Sequence, residues 1–406
     1  MQRRFRSFGR GRLNSFGASS KPRATYPARF GRPFSARRNH SEPVDINLFI
    51  NKAKGLQPEA YISTHTFEDF GLSSQLIKNI KHKGYTTPTP IQDQAIKPIM
   101  EGKDLIGIAN TGTGKTAAFL IPMIEKILKD KNQKVFIVAP TRELALQINE
   151  ELKDFAYGMN IYSSLLMGGT GYNKQMFELR RNPNFVIGTP GRIKDMLEKK
   201  ALNLSDFQNV ILDEVDLMVD IGFIKTVEYF ISLLSKNRQS LFFSATVDKK
   251  VSQILQAFVD NPITISVKKQ ETAEFIDQDV IYIQDKSQKI EKLHDLLNQE
   301  EFNKVLVFGR TKWNVEKLTR ELESRGFKVG AIHGNKSQPY RQRILQDFKM
   351  EKIQVLLATD VASRGLDIEN VSHVINYDTP ESYDDYIHRI GRTGRANKKG
   401  VALTFV

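Results

Sequence analysis

From Phe67 onward the chain alternates short apolar, β-rich runs with longer stretches in which apolar residues recur at helical spacing. This alternation is typical of parallel α/β architecture, in which a helix follows each strand and covers the sheet. The first series of predicted strands comprises Asp104–Ile108, Val135–Ala139, Asn184–Ile187, Val210–Leu212 and Leu241–Phe243. The second series comprises Asp279–Ile283, Val305–Phe308, Val329–Ile332, Gln354–Leu357, Val374–Asn376 and Val401–Phe405. We therefore predict two doubly wound domains, each a mostly parallel sheet with helices on both faces.

The boundary between the two series follows Asn261-Pro262, and the polar stretch 268–278 is the predicted linker. A chain of 406 residues is too long for one ordinary domain, because single cores rarely grow beyond about 250–300 residues. We predict a first domain over residues 66–267 and a second over residues 279–406. Residues 1–65 form an arm and its lead-in. The weakly patterned stretch 41–65 does not reveal whether it packs on the first domain.

Positive charge is concentrated at the N-terminus. The formal net charge is +14, and residues 1–40 hold ten Arg, one Lys and no acidic residue, interleaved with six aromatic residues and frequent Gly and Pro. Such a segment cannot bury enough apolar surface to offset its chain entropy, so we predict disorder. Arginines suit phosphates and aromatic rings suit bases, which favours a nucleic-acid-binding arm. An organellar transit peptide and a solubilising tail are the alternatives, although the Gly and Pro content disfavours the first.

Several other classes are disfavoured by composition. The chain has no cysteine, and its seven histidines show no ligand spacing, so any metal must bind oxygen ligands. No apolar run approaches the roughly 18–20 residues of a membrane span, and the N-terminus lacks the apolar core of a signal peptide. We expect a soluble, cytoplasmic protein without a membrane partner.

The run Ala109-Asn-Thr-Gly-Thr-Gly-Lys-Thr116 lies between a predicted strand and a helical pattern. Backbone N–H groups in such a loop approach phosphate oxygens, a lysine reaches the β- and γ-phosphates, and a hydroxyl binds Mg²⁺. Lys115 and Thr116 take these last two roles, behind the loop residues Thr111, Gly112, Thr113 and Gly114. Gly-Lys-Thr also occurs by chance, and Ala109 replaces the usual first glycine. The run therefore needs a second signal.

That signal follows the strand Val210–Leu212, where the chain reads Asp213-Glu214-Val215-Asp216. At the end of a strand, Asp213 can hold Mg²⁺ and Glu214 can orient or deprotonate a water molecule. A solvated acidic turn is the alternative for this run alone. On consecutive elements of one parallel sheet, the two runs together predict a Mg²⁺-dependent nucleoside triphosphatase.

The second domain carries His388-Arg-Ile-Gly-Arg392-Thr-Gly-Arg395. The planar, permanently charged guanidinium suits the charge that develops on phosphoryl oxygens during transfer. A basic surface loop is the alternative. Because these arginines belong to a different domain from Lys115, hydrolysis would require the domains to close, which would turn ATP use into interdomain motion.

The whole stretch Phe67–Val406 resembles the core of DEAD-box RNA helicases, with about a dozen motifs in the family's order. The resemblance implies two tandem RecA-like domains and assigns adenine recognition to Phe67, Tyr85 and Gln92. It also implies that Gly365 and Asp367 contact ATP, that Arg392 and Arg395 are arginine fingers, and that Asp216, Ser244, Thr246 and His388 couple hydrolysis to unwinding. The residues implied to contact RNA are Pro140, Thr141, Arg142, Gly169, Thr189, Gly191, Arg192, Arg310, Gln338, Arg341 and Thr359.

The resemblance implies a monomeric, ATP-dependent RNA helicase that grips single- and double-stranded RNA by its backbone, largely independently of sequence. Val215 stands where the family usually has alanine, and we expect activity to survive this change. The family usually continues past Val406 with at least one more helix, so the second domain is expected to be incomplete or to lack that helix. An ATP-gated RNA clamp and a DNA translocase remain the alternative functions.

Overall fold

The computed structural model describes residues 45–53, 61–110, 112–267, 276–285, 287–363, 368, 371–394 and 400–406. The predicted arm, residues 1–40, lies outside the described residues, as does the predicted linker up to residue 275. No helix in the described part of the chain is long and apolar enough to cross a membrane.

The first domain contains a parallel sheet of seven strands in the order β3-β4-β2-β5-β6-β1-β7. Its strands are β1 Leu105–Ala109, β2 Val135–Val138, β3 Ser163–Leu166, β4 Phe185–Gly188, β5 Asn209–Leu212, β6 Gln239–Ser244 and β7 Ile263–Val267. Its helices are α1 Ser74–His82, α2 Pro90–Met100, α3 Lys115–Lys129, α4 Arg142–Phe155, α5 Tyr172–Arg180, α6 Pro190–Glu198, α7 Val215–Asp220, α8 Ile224–Leu233 and α9 Lys249–Phe258.

The second domain contains a parallel sheet of six strands in the order β10-β11-β9-β12-β13-β8. Its strands are β8 Ile276–Ile281, β9 Val305–Phe308, β10 Val329–Ile332, β11 Val355–Ala358, β12 His373–Asn376 and β13 Gly400–Phe405. Its helices are α10 Gln288–Leu297, α11 Lys312–Ser324, α12 Gln338–Lys349, α13 Asp360–Ser363 and α14 Tyr383–Ile390.

Each sheet is buried on both faces, which explains the nearly continuous apolar runs of its strands. In β2, Val135 and Ile137 belong to one apolar core, whereas Phe136 and Val138 belong to the core on the opposite face. This alternation follows from the two-residue period of a strand. The predicted doubly wound architecture is confirmed for both domains.

The two sheets repeat one connectivity. The order of β1 to β6 in the first sheet is the order of β8 to β13 in the second, so that β2 corresponds to β9, β3 to β10 and β4 to β11. Strand β7 of the first sheet extends beyond this repeat. Positions at corresponding strand ends can therefore be compared between the domains.

The sequence pattern misses β3 and β7 and misplaces the start of β8. Strand β3 begins with two serines at one edge of the sheet, and β7 at the other edge buries only Ile265, so neither forms a continuous buried apolar run. Strand β8 begins at Ile276, three residues before the predicted Asp279. Residues 276–278 therefore belong to the second sheet and not to the predicted linker, although the neighbouring residues in the sequence are mostly polar.

The lead-in contacts both domains. Asn51 forms an antiparallel bridge with Gln278 of β8, and the Phe49 ring is fully buried against Tyr386 of α14, with the ring centroids 4.5 Å apart. Residues 61–65 instead contact the first domain. There the buried carboxylate of Asp93 in α2 accepts hydrogen bonds from the Tyr61 hydroxyl at 2.6 Å and from the Thr64 amide at 2.8 Å. Domain 1 packing therefore extends upstream of the predicted boundary at residue 66.

Candidate functional site

The loop between β1 and α3 has the geometry expected for phosphate binding. Gly114 caps α3 with a φ of 91°, a conformation that residues with a β-carbon rarely adopt. Helix α3 starts at Lys115, so the free N–H groups and the positive end of the helix dipole face the loop. The Lys115 ammonium donates to the Ala109 carbonyl at 2.9 Å, which holds the side chain folded back over the loop.

Gln92 joins this loop to helix α2. Its side-chain oxygen accepts from the Thr89 amide at 3.0 Å, and its amide nitrogen donates to the Gly114 carbonyl at 3.1 Å. A β-carbon at position 114 would collide with the Gln92 side chain. Gln92, the residue predicted to recognise adenine, is thus fixed beside the loop between β1 and α3.

The aromatic residues predicted to bind adenine differ in exposure. Phe67 is buried in the core of the first domain, and its ring lies edge-on to Tyr85 at a centroid distance of 6.4 Å. Tyr85 is half-buried and donates from its hydroxyl to Glu151 at 3.0 Å. Phe67 therefore supports Tyr85 from behind, and Tyr85 is the aromatic ring with an accessible surface.

The Asp213-Glu214 pair follows β5 directly. Burial raises the pKa of Asp213 to about 7; the nearby Lys115 charge opposes this rise, and Glu214 and Asp216 add to it. Glu214 caps α7 with a φ of 51°, which is unusual for a residue other than glycine. Strained backbone of this kind is concentrated at functional sites. A buried carboxylate whose charge is incompletely compensated suits a cation.

Thr116 is half-buried on the first turn of α3, behind Lys115. The described residues contain no group of three or more His, Cys, Asp or Glu side chains arranged to hold a metal ion. Mg²⁺ usually keeps several water ligands and takes only one or two carboxylates, with phosphate oxygens completing its shell. A single carboxylate at Asp213 and a hydroxyl at Thr116 fit that donor set.

Asp216, Ser244 and Thr246 form one hydrogen-bonded group. The Asp216 carboxylate accepts from the amides of Ala245 and Thr246 at 3.1 and 3.2 Å, and the Ser244 hydroxyl donates to the Thr246 carbonyl at 2.7 Å. The structure therefore brings together three of the four residues predicted to couple hydrolysis to motion. This hydrogen-bonded group lies at the end of β6, which is paired with β5 in the sheet.

In the first domain, the predicted RNA contacts lie on the loops and helix starts that follow β2, β3 and β4. A β-carbon on Gly168 or Gly169 would lie 2.7 Å from the Arg142 guanidinium, so this side chain lies directly against the backbone after β3. Arg192 of α6 donates to Gln175 at 2.9 Å. Thr141 caps α4 by accepting from the Leu144 amide at 3.3 Å. The other predicted residues of this group, Pro140, Thr189 and Gly191, lie at the starts of α4 and α6.

Glu143 connects the two domains. Its carboxylate accepts from the Gln338 side-chain amide at 2.9 Å and forms an ion pair with Arg341, also at 2.9 Å. All three side chains are buried. Burial lowers the pKa of Arg341, and Glu143 opposes that shift. Gln338 and Arg341 were predicted to contact RNA; in this structure they hold the start of α12 against the start of α4.

Arg389 anchors the helix that precedes the predicted fingers. Its guanidinium forms two hydrogen bonds with the Asp360 carboxylate, at 2.5 and 2.8 Å, and a third with the Asp378 carbonyl at 2.7 Å. His388 lies on the same helix, α14, and Arg392 is buried just beyond its end. Thr359 precedes α13, and the Arg310 amide donates to Asp378 at 2.8 Å.

Comparison with protein families gives two adjacent matches. Residues 89–254 match the DEAD/DEAH box helicase family, and residues 288–397 match the helicase conserved C-terminal domain. Together they cover more than half of the chain. This chain belongs to the DEAD-box ATP-dependent RNA helicase family.

Curated relatives agree with this assignment to the DEAD-box family. The ATP-dependent RNA helicase CshA of Listeria monocytogenes is 44% identical over 342 residues, which cover 84% of this chain and 66% of that protein. CshA of Bacillus subtilis is 42% identical over 345 residues, covering 84% of this chain and 70% of the relative. The chain thus spans about two thirds of the length of the curated relatives that it matches.

Solved DEAD-box structures resemble the fold. Saccharomyces cerevisiae Dbp5 bound to RNA and ADP BeF3 has a TM-score of 0.75 at 32% identity, covering 84% of this chain and 89% of that one. The DEAD-box helicase Mss116 bound to ssRNA and UDP-BeF has a TM-score of 0.76 at 31% identity, covering 88% and 77%. The prediction of two tandem RecA-like domains is confirmed.

Four residues predicted from the DEAD-box motifs, Thr111, Gly365, Asp367 and Arg395, lie outside the described residues. Two interactions were not predicted: the Glu143 pairing with the second domain and the Arg389–Asp360 pair. The partners of Glu143, Gln338 and Arg341, lie at least 195 residues further along the chain. Sequence spacing therefore gives no signal for this pairing. Arg389 lay within a predicted run but had no assigned role.

Most of the described site residues share one location. The phosphate loop, Thr141-Arg142, Thr189, Asp213 and Ser244 lie at or directly after the carboxyl ends of strands in the first sheet, and Arg310 and Thr359 do so in the second. Ligands of open α/β sheets bind outside these ends. The Glu143 contact joins the start of α4 in the first domain to the start of α12 in the second.

Proposed function

We propose that this chain is an RNA-stimulated ATPase that uses ATP-driven closure of its two domains to separate short RNA duplexes. The observation that carries this proposal is the buried contact of Glu143 with Gln338 and Arg341. It supports an arrangement in which the motif-bearing edge of the second sheet faces the phosphate loop of the first. ATP and RNA can then both be gripped from two sides.

In the first domain, Lys115 and the N–H groups at the start of α3 bind the β- and γ-phosphates, and Gln92 and Tyr85 hold the adenine. Thr111, Gly112 and Thr113 complete the loop. Thr116 and Asp213 hold Mg²⁺, which when bound neutralises charge on the phosphate oxygens. Glu214, fixed in its strained conformation beside Asp213, orients the attacking water and accepts its proton.

From the second domain, Arg392 and Arg395 stabilise the charge that develops on the transferred phosphoryl group, and Gly365 and Asp367 contact the nucleotide. The Arg389–Asp360 pair fixes α14, so that a shift of the whole domain carries Arg392, just beyond that helix, with it. Asp216, Ser244, Thr246 and His388 couple this shift to the RNA site. Closure, and not the movement of a single side chain, then limits turnover.

RNA binds across the same edge through Arg142, Arg192, Arg310, Thr189 and Thr359, largely by its phosphates. The Glu143 pairing occupies Gln338 and Arg341 in the present arrangement, so their contact with RNA requires that the start of α12 move relative to α4. RNA binding and domain arrangement are thereby linked. We expect a monomer to suffice for this mechanism.

Strand separation on matched RNA and DNA duplexes tests the proposal. We expect separation of RNA with ATP and Mg²⁺, little with DNA, and less with a nonhydrolysable analogue that still supports binding. An ATP-gated clamp would bind RNA in the presence of the analogue but would not separate strands. Equal activity on both duplexes would favour a DNA translocase and contradict the proposal.

A further inference from the structure

Trp313 is the single tryptophan of the chain, and its side chain is 80% exposed on the first turn of α11. Tryptophan is usually highly buried, and large aromatic residues are enriched where proteins contact their partners. Neither the core of the second domain nor the ATP site uses this indole. The position of Trp313 on α11, directly after β9, indicates which ligand the indole could contact.

The repeated connectivity of the two sheets defines that position. Strand β9 corresponds to β2, so α11 corresponds to α4. Both helices are capped in the same way, because Thr311 accepts from the Asn314 amide at 3.1 Å as Thr141 accepts from its own third residue. Counting from the two caps, Lys312 corresponds to Arg142 and Trp313 corresponds to Glu143.

The surroundings of Lys312 repeat those of Arg142. The Arg142 guanidinium lies over the glycines that follow β3. The Lys312 ammonium donates at 3.1 Å to the side chain of Asn335, which follows β10, the counterpart of β3. Lys312 and Trp313 therefore lie at the edge of the second sheet that matches the proposed RNA edge of the first, next to Arg310.

We propose that Trp313 forms a base-stacking subsite for single-stranded RNA, with Lys312 beside it for an adjacent phosphate. The inference rests on the proposed function, because it requires RNA to cross this edge. An indole face accepts any base, so the subsite adds affinity without a sequence code. Bases in a duplex are covered by their neighbours, so this subsite favours the separated strand.

Intrinsic fluorescence provides a direct test, because the chain contains one tryptophan. The full chain is titrated with unlabelled oligouridine and oligoadenosine in the presence of a nonhydrolysable ATP analogue and Mg²⁺. In parallel, the anisotropy of a labelled RNA reports binding independently of the indole. We expect the tryptophan emission to change with the same midpoint as the anisotropy.

Affinity measurements on variants separate stacking from charge. Trp313→Ala should weaken single-strand binding by about 5- to 150-fold, the range for loss of one stacked base, with an unchanged salt slope. Trp313→Phe should restore part of that loss. Lys312→Ala should reduce the slope of log K against log salt by about 0.7. The control is Tyr282→Ala, which removes another exposed ring after β8, a strand end without a predicted RNA contact.

The outcomes distinguish the two proposals. If labelled RNA binds but the emission stays constant and Trp313→Ala binds normally, the stacking subsite is wrong while the RNA-stimulated ATPase stands. If no RNA binds to any variant, the proposed function itself fails. If the emission follows protein concentration instead, and Trp313→Ala abolishes an oligomer seen by sedimentation, the indole is a protein contact and the subsite is also wrong.

Discussion

In the first sheet the ends of β1 and β5 lead to Lys115 and Asp213, whereas the corresponding ends of β8 and β12 in the second sheet lead to Tyr282 and Tyr377. The ends of β2 and β4 differ from this pattern. They lead to Pro140 and Thr189, and their counterparts β9 and β11 lead to Arg310 and Thr359. The candidate RNA contacts are thus present at matching positions in both domains, whereas the nucleotide loop and its acidic pair are present in one.

This difference has a mechanical consequence. A strand of RNA can be held by two similar edges, so a relative shift of the domains displaces one part of the strand against the other. In the proposed function, ATP is held by one edge and contacted by arginines from the other, so its binding energy would favour a single arrangement of the domains. A duplicated RNA site with an unduplicated nucleotide site is therefore suited to converting closure into a local bend.

The largest expected effect comes from Arg392, the residue of the second domain proposed to assist ATP hydrolysis. Arg392→Ala should slow ATP hydrolysis by about 10³- to 10⁵-fold, the range for arginine fingers, while ATP affinity changes less. Steady-state turnover and binding of a fluorescent ATP analogue give the two quantities. Arg320→Ala, an exposed arginine of α11, is the control. A parallel loss of affinity and rate would show that Arg392 acts on bound ATP before hydrolysis.

The acidic pair Asp213-Glu214 is present in the first domain and not at the matching position of the second, so its substitution tests whether catalysis depends on the first domain's carboxylates. Glu214→Gln should reduce turnover by about 10²- to 10⁴-fold, as expected for loss of a general base, while ATP and RNA still bind. Lys115→Ala should instead lose nucleotide binding. Asp295→Asn, at an exposed carboxylate of α10, is the control and should leave maximal turnover nearly unchanged. Normal turnover in Glu214→Gln would remove this carboxylate from the mechanism.

The contact between the domains should have an intermediate effect. Glu143→Gln leaves the buried Arg341 guanidinium without its counter-charge, which costs about 3–5 kcal/mol for a buried pair. We expect the domains to separate more readily and, because Gln338 and Arg341 are released from Glu143, the RNA concentration for half-stimulation to fall. Because the chain has no cysteine, two introduced cysteines can be labelled to measure the interdomain distance by energy transfer.

Glu150→Gln is the matched control for this prediction, since Glu150 is exposed on the same helix, α4. It should change neither the energy transfer nor the half-stimulation. Unchanged energy transfer in Glu143→Gln would mean that the pair does not hold the domains, whatever its burial in the structure.

The lead-in around Phe49 packs on the second domain, so its loss should lower the stability of that domain. Phe49 is fully buried against the second domain, so Phe49→Ala should lower the free energy of unfolding of that domain by about 3–5 kcal/mol. Leu48, which is 46% exposed in the same segment, provides the control substitution Leu48→Ala. Denaturant unfolding followed by circular dichroism measures both. Equal, small effects would mean that the segment is not docked in solution.

The sequence predicts most of the strands, because each is a short apolar run, and the family resemblance points to the residues that follow the strand ends. It misses contacts whose partners are distant in sequence. The Glu143 pairing depends on how two domains meet, and the docking of Phe49 depends on an open edge of β8. In the lead-in, Leu48 and Ile50 are exposed while Phe49 is buried, so no apolar run indicates a buried segment.

The smallest effect on turnover is expected from removing the predicted arm, residues 1–40. If its eleven cationic residues contact phosphates, a chain that starts at Ser41 should bind RNA more weakly, with a flatter salt dependence. Each phosphate contact on a single strand contributes about −0.7 to the slope of log K against log salt. Maximal turnover at saturating RNA should stay nearly constant, because the nucleotide site lies in the core, while the half-stimulating RNA concentration rises.

Aromatic substitutions in the arm separate its two modes of binding. Replacing Phe5, Phe8, Phe16, Phe30 and Phe34 with alanine should lower RNA affinity without changing the salt slope, because stacking releases few counterions. A titration series over salt, with the full chain, the shortened chain and this variant, measures both quantities together. If half-stimulation and slope are the same in all three, the arm is not an RNA tether. It then acts as a solubilising tail, and the two matching sheet edges alone account for RNA binding.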